Sequence, residues 1–191
     1  MPDRRDQMPT AFALRRPLRA DEFEELAQAS VEQYASGSDL EAMSVVMNLL
    51  RAANRLQQDF ETNVNRPAGL SFAAFRVMFA IQAVGRINPL ELARLSSVSP
   101  ASTSAVLNTL ERNGLVVRRK GVAEDGRVIV VELTPTGEEM LTALWERNHR
   151  REIEWASALT HRERQTMARL LRKLLAFHPA PPRDRDTQKD G

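Results

Sequence analysis

Apolar residues recur every three or four positions along much of the chain, a spacing that predicts amphipathic helices. The pattern predicts a short helix over residues 21–34, capped by Asp21, and a long helix over residues 39–63. A third helix is expected to begin at Ser71 and to stop at Gly85, because glycine commonly ends a helix.

Two further helices are marked by a capping side chain followed by proline, at Asn88-Pro89 and at Ser99-Pro100. Proline suits the first position of a helix, since the backbone N–H that it lacks has no partner there. The second of these helices is expected to end at Gly114. A pair of helices separated by a short turn is the arrangement of a helix-turn-helix.

The periodicity then changes to that of strands. Residues 115–120 and 127–133 are rich in β-branched side chains and enclose a polar turn, which predicts a hairpin. Thr134 begins a helix that is expected to continue to about residue 159, and Thr160 caps the last helix. The expected fold class is mainly α with a small β-wing, a winged helix-turn-helix flanked by further helices.

This pattern divides the chain into five expected segments. They are a partly flexible N-terminal extension with a short helix (1–38), a dimerisation helix (39–66), a winged helix-turn-helix DNA-binding region (67–134), C-terminal dimerisation helices (135–178) and a disordered tail (179–191). The flanking helices carry more apolar surface than one small winged helix could cover, and a homodimer is therefore expected.

Composition narrows the range of functions. The chain has no cysteine, which excludes disulfides, thiolate metal sites and cysteine nucleophiles. Its three histidines, His149, His161 and His178, lack a metal-ligand spacing, and no glycine-rich phosphate loop or nucleophile elbow occurs. We therefore expect no enzyme, no metal and no cofactor. The absence of a signal peptide and of a long apolar run predicts a cytoplasmic protein without a membrane partner.

Charge is distributed unevenly along the chain. The net charge is only +2, but residues 86–127 carry seven basic and four acidic side chains. A local excess of positive charge on a helix pair and a hairpin points to contact with phosphates. In this arrangement the second helix of the pair enters the major groove, and the hairpin approaches the minor groove.

The second helix of the pair is expected to expose small polar side chains, which let a helix approach base edges closely. Apolar contacts with its predecessor are expected from Leu92, Leu95, Val98, Val106 and Leu110. The predicted DNA contacts are Arg94, Ser99, Ser102, Thr103, Ser104, Asn108, Arg112, Arg118, Arg119, Lys120 and Arg127.

The segment 86–137 resembles the core of the MarR family (multiple antibiotic resistance regulators), and the resemblance extends more loosely over residues 39–177. Three sequence elements carry it, in the family's order and spacing. They are Leu110, Glu111, Gly114, Leu115 and Val116; the wing pair Asp125 and Arg127; and Leu133, Thr134 and Gly137.

The resemblance implies a transcriptional regulator, a repressor that binds pseudo-palindromic double-stranded DNA as a homodimer through its first and last helices. It assigns Asp125 to structuring the wing. The family often has arginine where this chain has Ala105 and Thr109. Most of the electrostatic attraction to DNA is therefore expected from the wing and from Arg94 and Arg112. The alternative is a winged helix that binds protein without specific DNA binding.

The resemblance also implies release of the DNA by a small ligand, often an anionic aromatic molecule. Arg76, with Asn48 or Arg51 from the long helix, is the expected ligand site, and an ordinary surface role for Arg76 is the alternative. The first 38 residues lie outside the resemblance. They either extend the dimer interface or lie over the ligand pocket.

Overall fold

The computed structural model describes residues 17–120 and 129–179. Within these ranges the chain forms seven α-helices and one antiparallel pair of strands. They are α1 (Ala20–Tyr34), α2 (Leu40–Phe60), α3 (Phe72–Val84), α4 (Pro89–Ser96), α5 (Pro100–Arg112), β1 (Val116–Lys120), β2 (Ile129–Leu133), α6 (Pro135–Ala156) and α7 (His161–Leu175). A π-turn, Glu61–Asn65, and a 3₁₀ turn, Arg66–Ala68, link α2 to α3. The predicted fold class, mainly helical with a small wing, is confirmed.

The helices begin where local sequence satisfies their free N–H groups. The side chains of Ser71, Asn88, Ser99 and Thr134 each accept a hydrogen bond from the backbone N–H three residues ahead, at 2.9–3.2 Å. The expected cap at Asp21 is wrong. Helix α1 starts one residue earlier, at Ala20, and the Asp21 carboxylate pairs with the guanidinium of Arg19.

The chain divides into two compact units, one ending at Gln58 and one beginning at Asp59. In the first unit α1 is tied to α2 by polar contacts. Asn48 donates to the Glu24 carboxylate at 2.7 Å, and the Arg51 guanidinium lies 4.7 Å from the centre of the Phe23 ring. No side chain of α1 is buried. This unit therefore has little core of its own among the described residues.

The second unit contains the apolar core, which is centred on α3. Val77 and Met78 of α3 are fully buried, as are Leu92 of α4 and Leu107 of α5. The two strands pair from Val116↔Leu133 to Lys120↔Ile129. Ile87, between α3 and α4, bridges to Val131 of β2 through two backbone hydrogen bonds of 2.8 and 3.3 Å. The core thus lies directly beneath α4, α5 and the hairpin.

Hydropathy gives no single helix within residues 17–120 and 129–179 that is long and apolar enough to span a membrane. Among the described residues, one bent pair of helical segments, Leu40–Ala68 and Phe72–Val84, passes the same test when the two are taken together, by length and composition alone. Most of the apolar residues of α3 are buried in the core just described.

A polar cluster in the second unit connects α6 to the segment that follows Gln58. Asn65 and Asn148 are both fully buried and hydrogen-bond each other through their side-chain amides, at 3.1 and 3.3 Å. One turn away, the Asp59 carboxylate accepts two hydrogen bonds from Arg151, at 2.6 Å each, and one from the Trp155 indole at 2.7 Å. The hydrogen bonds from Arg151 hold the pKa of Asp59 well below its ordinary value.

This depressed pKa predicts an acid-sensitive contribution to stability. A carboxylate with a lowered folded-state pKa stabilises the fold above its unfolded pKa of about 3.9, and that stability is lost as the pH falls towards the folded-state value. Urea denaturation at pH 7 and pH 3 should therefore show a stability difference between the wild type and Asp59→Asn that shrinks at pH 3. An unchanged difference at the two pH values would show that the Arg151 pair contributes nothing to folding.

Candidate nucleic-acid interface

Helices α4 and α5 form a helix-turn-helix whose turn is built by one unusual backbone conformation. Ser97 adopts φ +51°, the only positive φ of a non-glycine residue in the described ranges. The Val98 N–H donates to the Ala93 carbonyl at 3.2 Å, which closes the turn. Pro100 then starts α5 under the Ser99 cap. The turn is short, and it fixes the angle at which α5 leaves α4.

Helix α5 presents one buried and one exposed face. Leu107 and Leu110 lie in the core, whereas Ser99, Ser102 and Ser104 are exposed at the N-terminal end of the helix. Hydroxyl groups there can donate to and accept from base edges or phosphates. The hydroxyls of Ser99 and Ser102 already hydrogen-bond each other at 2.9 Å, so they form one polar unit at the helix start.

The expectation that Thr103 is exposed is wrong. Its exposed fraction is 1%, and its hydroxyl donates to the Val98 carbonyl at 3.4 Å. The physical reason is helical geometry, since a residue four positions before Leu107 and seven before Leu110 shares their face. Thr103 therefore supports the turn from inside and is removed from the set of candidate DNA contacts.

The expected bracing by Leu95 is also wrong. Leu92 and Ser96, four residues apart, share the buried face of α4, whereas Leu95 lies at the edge of that face and is 42% exposed. The other predicted bracing residues, Val98 and Val106, are partly buried against the core. Leu95 instead lines a cavity between α3 and α4.

The hairpin carries three of the predicted contacts, and the structure gives them different surroundings. Arg118 donates to Glu111 at 2.5 Å and to the Asn108 side chain at 2.8 Å, so β1 is attached to α5 through two predicted DNA-contacting residues. Arg119 pairs with Glu132. Lys120 is exposed at the end of β1.

Glu132 on β2 is shared between two cations. It accepts from Arg119 and, at 2.6 Å, from Arg86, and these hydrogen bonds lower the pKa of its carboxyl group. Arg94 is similarly paired with Glu91 of its own helix. A cation that is already paired gains less from a phosphate, because it must give up its carboxylate partner.

Two of the predicted cations have no carboxylate partner within residues 17–120 and 129–179. Arg112 hydrogen-bonds only the backbone of Asn108 and the hydroxyl of Thr109, and Lys120 makes no ion pair there. These two side chains are therefore the most available for phosphate. The predicted residues Asp125 and Arg127 lie outside the described residues.

Comparison of the sequence with known proteins identifies the family to which the chain belongs. The sequence profile of the MarR family matches residues 68–128. An HTH-type transcriptional regulator of Bacillus subtilis, YwaE, is 32% identical over 158 residues, which cover 82% of this chain and 91% of YwaE. The chain belongs to the MarR family. The resemblance inferred from residues 86–137 is thus confirmed, and the relatives of this chain are transcriptional regulators.

Solved structures of MarR-family regulators share the fold. BpsR of Bordetella bronchiseptica, whose DNA binding is regulated by 6-hydroxynicotinic acid, superposes with a TM-score of 0.63 at 23% identity, covering 69% of this chain and 98% of BpsR. MarR of E. coli in its apo form superposes with a TM-score of 0.53 at 27% identity, covering 66% of this chain and 96% of that one. Regulators of the MarR family bind DNA and act as dimers, and some bind small molecules.

The three predicted ligand residues lie in different units. Asn48 and Arg51 belong to the first unit, where they contact Glu24 and Phe23 of α1. Arg76 belongs to the second unit. It lines a cavity of about 370 Å³ between α3 and α4, with an apolar wall that includes Phe75, Phe79, Val84 and Leu95.

The Arg76 side chain connects this cavity to the helix-turn-helix. It donates to the carbonyl oxygen of Ser97 at 2.7 Å, and its guanidinium lies 5.7 Å from the centre of the Phe72 ring. Burial lowers the pKa of Arg76, although the group stays protonated at neutral pH. The role of the Ser97 carbonyl as the acceptor for Arg76 is not predictable from the sequence. The two residues are 21 positions apart, and a backbone oxygen is present at every residue, so the pattern of side chains does not indicate this contact.

Proposed function

We propose that this MarR-family regulator binds a specific double-stranded DNA site as a homodimer, with α5 in the major groove. The observation that carries the proposal is the exposed N-terminal end of α5, where the hydroxyls of Ser99, Ser102 and Ser104 project from a helix held by a closed turn. Arg112 and Lys120, which lack carboxylate partners among the described residues, supply charge for phosphates at either side.

Unpartnered apolar faces support the homodimer. Val46 and Leu50 of α2 are each 54% exposed, and Leu170 and Leu174 of α7 are 46% and 48% exposed. Such faces at both ends of a chain are typical of a two-fold interface. A two-fold dimer presents two copies of α5, and its DNA site is then a pseudo-palindrome with half-sites about 10–10.5 base pairs apart, or a multiple of that spacing.

Selection of binding sites from random duplex DNA tests the recognition role. The wild type should select a two-fold symmetric sequence, and Ser104→Ala should relax the preference at one position in each half-site by about 1–3 kcal/mol. Glu146→Gln, an exposed change on α6, is the matched control and should leave the selected sequence intact. If Ser104→Ala weakens all duplexes equally, that hydroxyl contacts phosphate and does not read bases.

The second candidate function is a winged helix that binds protein. Ala105 and Thr109 favour it, because uncharged side chains at these exposed positions make α5 less basic than a strong DNA-binding helix. Ionic strength separates the two functions, since DNA binding weakens steeply with salt through counterion release. A partner protein bound with little salt dependence, and no affinity for duplex DNA, would favour this second function.

We further propose that the protein is a repressor released by a small aromatic carboxylate bound in the α3–α4 cavity. The aromatic wall suits a planar ring, and Arg76 suits a carboxylate. A carboxylate that takes the Arg76 guanidinium replaces the Ser97 carbonyl as its acceptor. The turn before α5 then loses the hydrogen bond from Arg76 to Ser97, the residue with the left-handed backbone conformation. The position of α5 that can bind DNA becomes less populated as a result.

A thermal-shift experiment with 4-hydroxybenzoate and its uncharged analogue 4-hydroxybenzamide tests this site. The carboxylate should raise the Tm of the wild type by about 5–10 °C at 100 times Kd, because binding to the folded state alone then stabilises it by about 2.7 kcal/mol. The amide should have a much smaller effect, and Arg76→Gln should remove the difference between the two compounds. Equal shifts from both compounds would rule out a carboxylate contact at Arg76.

A further inference from the structure

Asn108 lies on the face of α5 that is turned away from the core. Helical geometry places it roughly 100–160° around the helix axis from the buried residues Thr103, Leu107 and Leu110. Its side chain is exposed. When a helix lies in the major groove, side chains on its outer face meet the base edges, which carry the sequence information. Asn108 is therefore placed to recognise a base.

The Asn108 carboxamide is held in one orientation by Arg118 of β1. Nη2 of Arg118 donates to Oδ1 of Asn108 at 2.8 Å, and Nη1 donates to the Glu111 carboxylate at 2.5 Å. A guanidinium group has five donors and no acceptor, so the oxygen of the amide, and not its nitrogen, must face Arg118. Arg118 is itself confined, because its side chain is only 27% exposed and both of its partners lie on α5.

This orientation leaves the amide nitrogen of Asn108 free to donate. Its two N–H groups make no hydrogen bond within residues 17–120 and 129–179. The oxygen is less available, because a second donor brought to it would also meet the positive charge of Arg118. Asn108 and Arg118 together therefore present hydrogen-bond donors to DNA, while the acceptor of the amide is occupied.

This donor pattern matches guanine better than adenine in the major groove. Guanine presents two adjacent acceptors there, N7 and O6, whereas adenine presents the acceptor N7 beside its donating N6 amino group. An asparagine with a free oxygen forms two hydrogen bonds with adenine, because it donates to N7 and accepts from N6. While Arg118 occupies the oxygen of Asn108, the adenine amino group would be left facing donors, which lowers affinity.

We propose that Asn108, oriented by Arg118, recognises a guanine in each half-site of the DNA. This contact rests on the proposed binding of α5 in the major groove, and it names a base that the helix selects. Asn108 makes the hydrogen bonds with the base. Arg118 is a positioning residue, since it affects the choice of base through the Asn108 carboxamide, and Glu111 keeps it in place.

Competition binding, measured by fluorescence anisotropy with duplexes that differ at single half-site positions, tests the contact. The wild type should bind a duplex with guanine at one position of each half-site about tenfold more tightly than one with adenine there. Asn108→Ala should remove this ratio and leave the preferences at other positions unchanged, because alanine offers no side-chain donor. Equal weakening of all duplexes by Asn108→Ala would place Asn108 at a phosphate and overturn the proposal.

Modified bases show whether Asn108 contacts the guanine directly. Replacing this guanine with 7-deazaguanine removes the N7 acceptor, and should weaken binding by the wild type but have little effect on Asn108→Ala. Inosine is the matched control, because it keeps N7 and O6 and lacks only the minor-groove amino group, and it should bind as guanine does. An equal loss with 7-deazaguanine for the wild type and Asn108→Ala would assign the guanine to another side chain.

The role of Arg118 is tested by the base preference of its variants. In Arg118→Met the carboxamide is free to turn and to accept from adenine, so the preference for guanine over adenine should disappear. Arg118→Lys keeps a donor beside Asn108 and should retain the preference. The matched control is Arg119→Met, which removes the same charge from a neighbouring residue paired with Glu132 and should leave the preference intact. A guanine preference that survives in Arg118→Met would overturn the positioning role.

Site selection from random duplexes separates DNA binding itself from the role of Asn108. If the wild type selects no sequence, recognition by α5 fails, and the guanine contact fails with it. If the wild type selects a two-fold symmetric sequence and Asn108→Ala selects the same one, the DNA-binding function stands and the assignment of Asn108 is overturned.

Discussion

Replacing Gly137 with alanine is expected to destabilise the winged-helix unit by about 3 kcal/mol or more, because the added methyl group would overlap backbone atoms. A Cβ at this position would lie 2.0 Å from the carbonyl oxygen of Leu115 and 2.9 Å from its carbonyl carbon. That backbone is held by two hydrogen bonds, from Leu115 to Leu110 and from Thr134 to Leu115. Because the Leu115 backbone is fixed by these hydrogen bonds, the added methyl group can be accommodated only if the start of α6 moves away from Leu115.

Gly114→Ala is the matched control for this substitution. Gly114 has φ +69°, but nothing lies within 4 Å of the position of a Cβ there. Alanine at Gly114 should therefore cost only the strain of a left-handed conformation, about 1–2 kcal/mol. Urea denaturation of both variants gives the comparison. A Gly137→Ala variant no less stable than Gly114→Ala would show that the approach of α6 to Leu115 is not a constraint.

Reversing charge at the two cations without carboxylate partners should reduce DNA affinity more than 100-fold at about 0.1 M salt, because fewer counterions are released and repulsion is added. The variant is Arg112→Glu/Lys120→Glu, which changes four positions in a dimer. The slope of log K against log salt should become shallower by about 0.9 for each phosphate that the protein no longer neutralises. Fluorescence anisotropy with a labelled duplex over a salt series measures both quantities.

The control for charge reversal is Arg147→Glu/Arg150→Glu on α6. Both side chains are exposed, and the net charge changes by the same amount. Long-range electrostatics alone would weaken both variants similarly, whereas direct contact predicts a large decrease in affinity only for Arg112→Glu/Lys120→Glu. Equal decreases would remove these two residues from the interface.

The sequence predicts the elements that depend on local chemistry. Proline after a capping residue places the starts of α4 and α5, and β-branched runs place the two strands, because both effects act within a few residues. The family elements at Gly114 and Gly137 are visible in the sequence as well. Their different physical roles, a left-handed turn and a close backbone approach, emerge only from the structure.

The features missed from the sequence depend on which face of a helix is buried or on contacts between distant residues. Thr103 is a small polar residue among other small polar residues, and only the position of the core shows that it points inward. The Asp59–Arg151 pair joins residues 92 positions apart, and the Arg118–Asn108 bond joins two predicted DNA contacts to each other. No spacing rule in one sequence predicts such pairs.

Sequence-specific DNA binding by a dimer is tested most directly by one measurement. The purified protein is titrated into duplexes from its own upstream region and into scrambled duplexes at two salt concentrations, with the mass of the complex measured in parallel. We predict two chains per duplex, steep salt dependence, and binding to an upstream duplex at least about 1,000-fold tighter than to scrambled DNA. Equal affinity for both DNAs, or none at either salt concentration, would contradict the account.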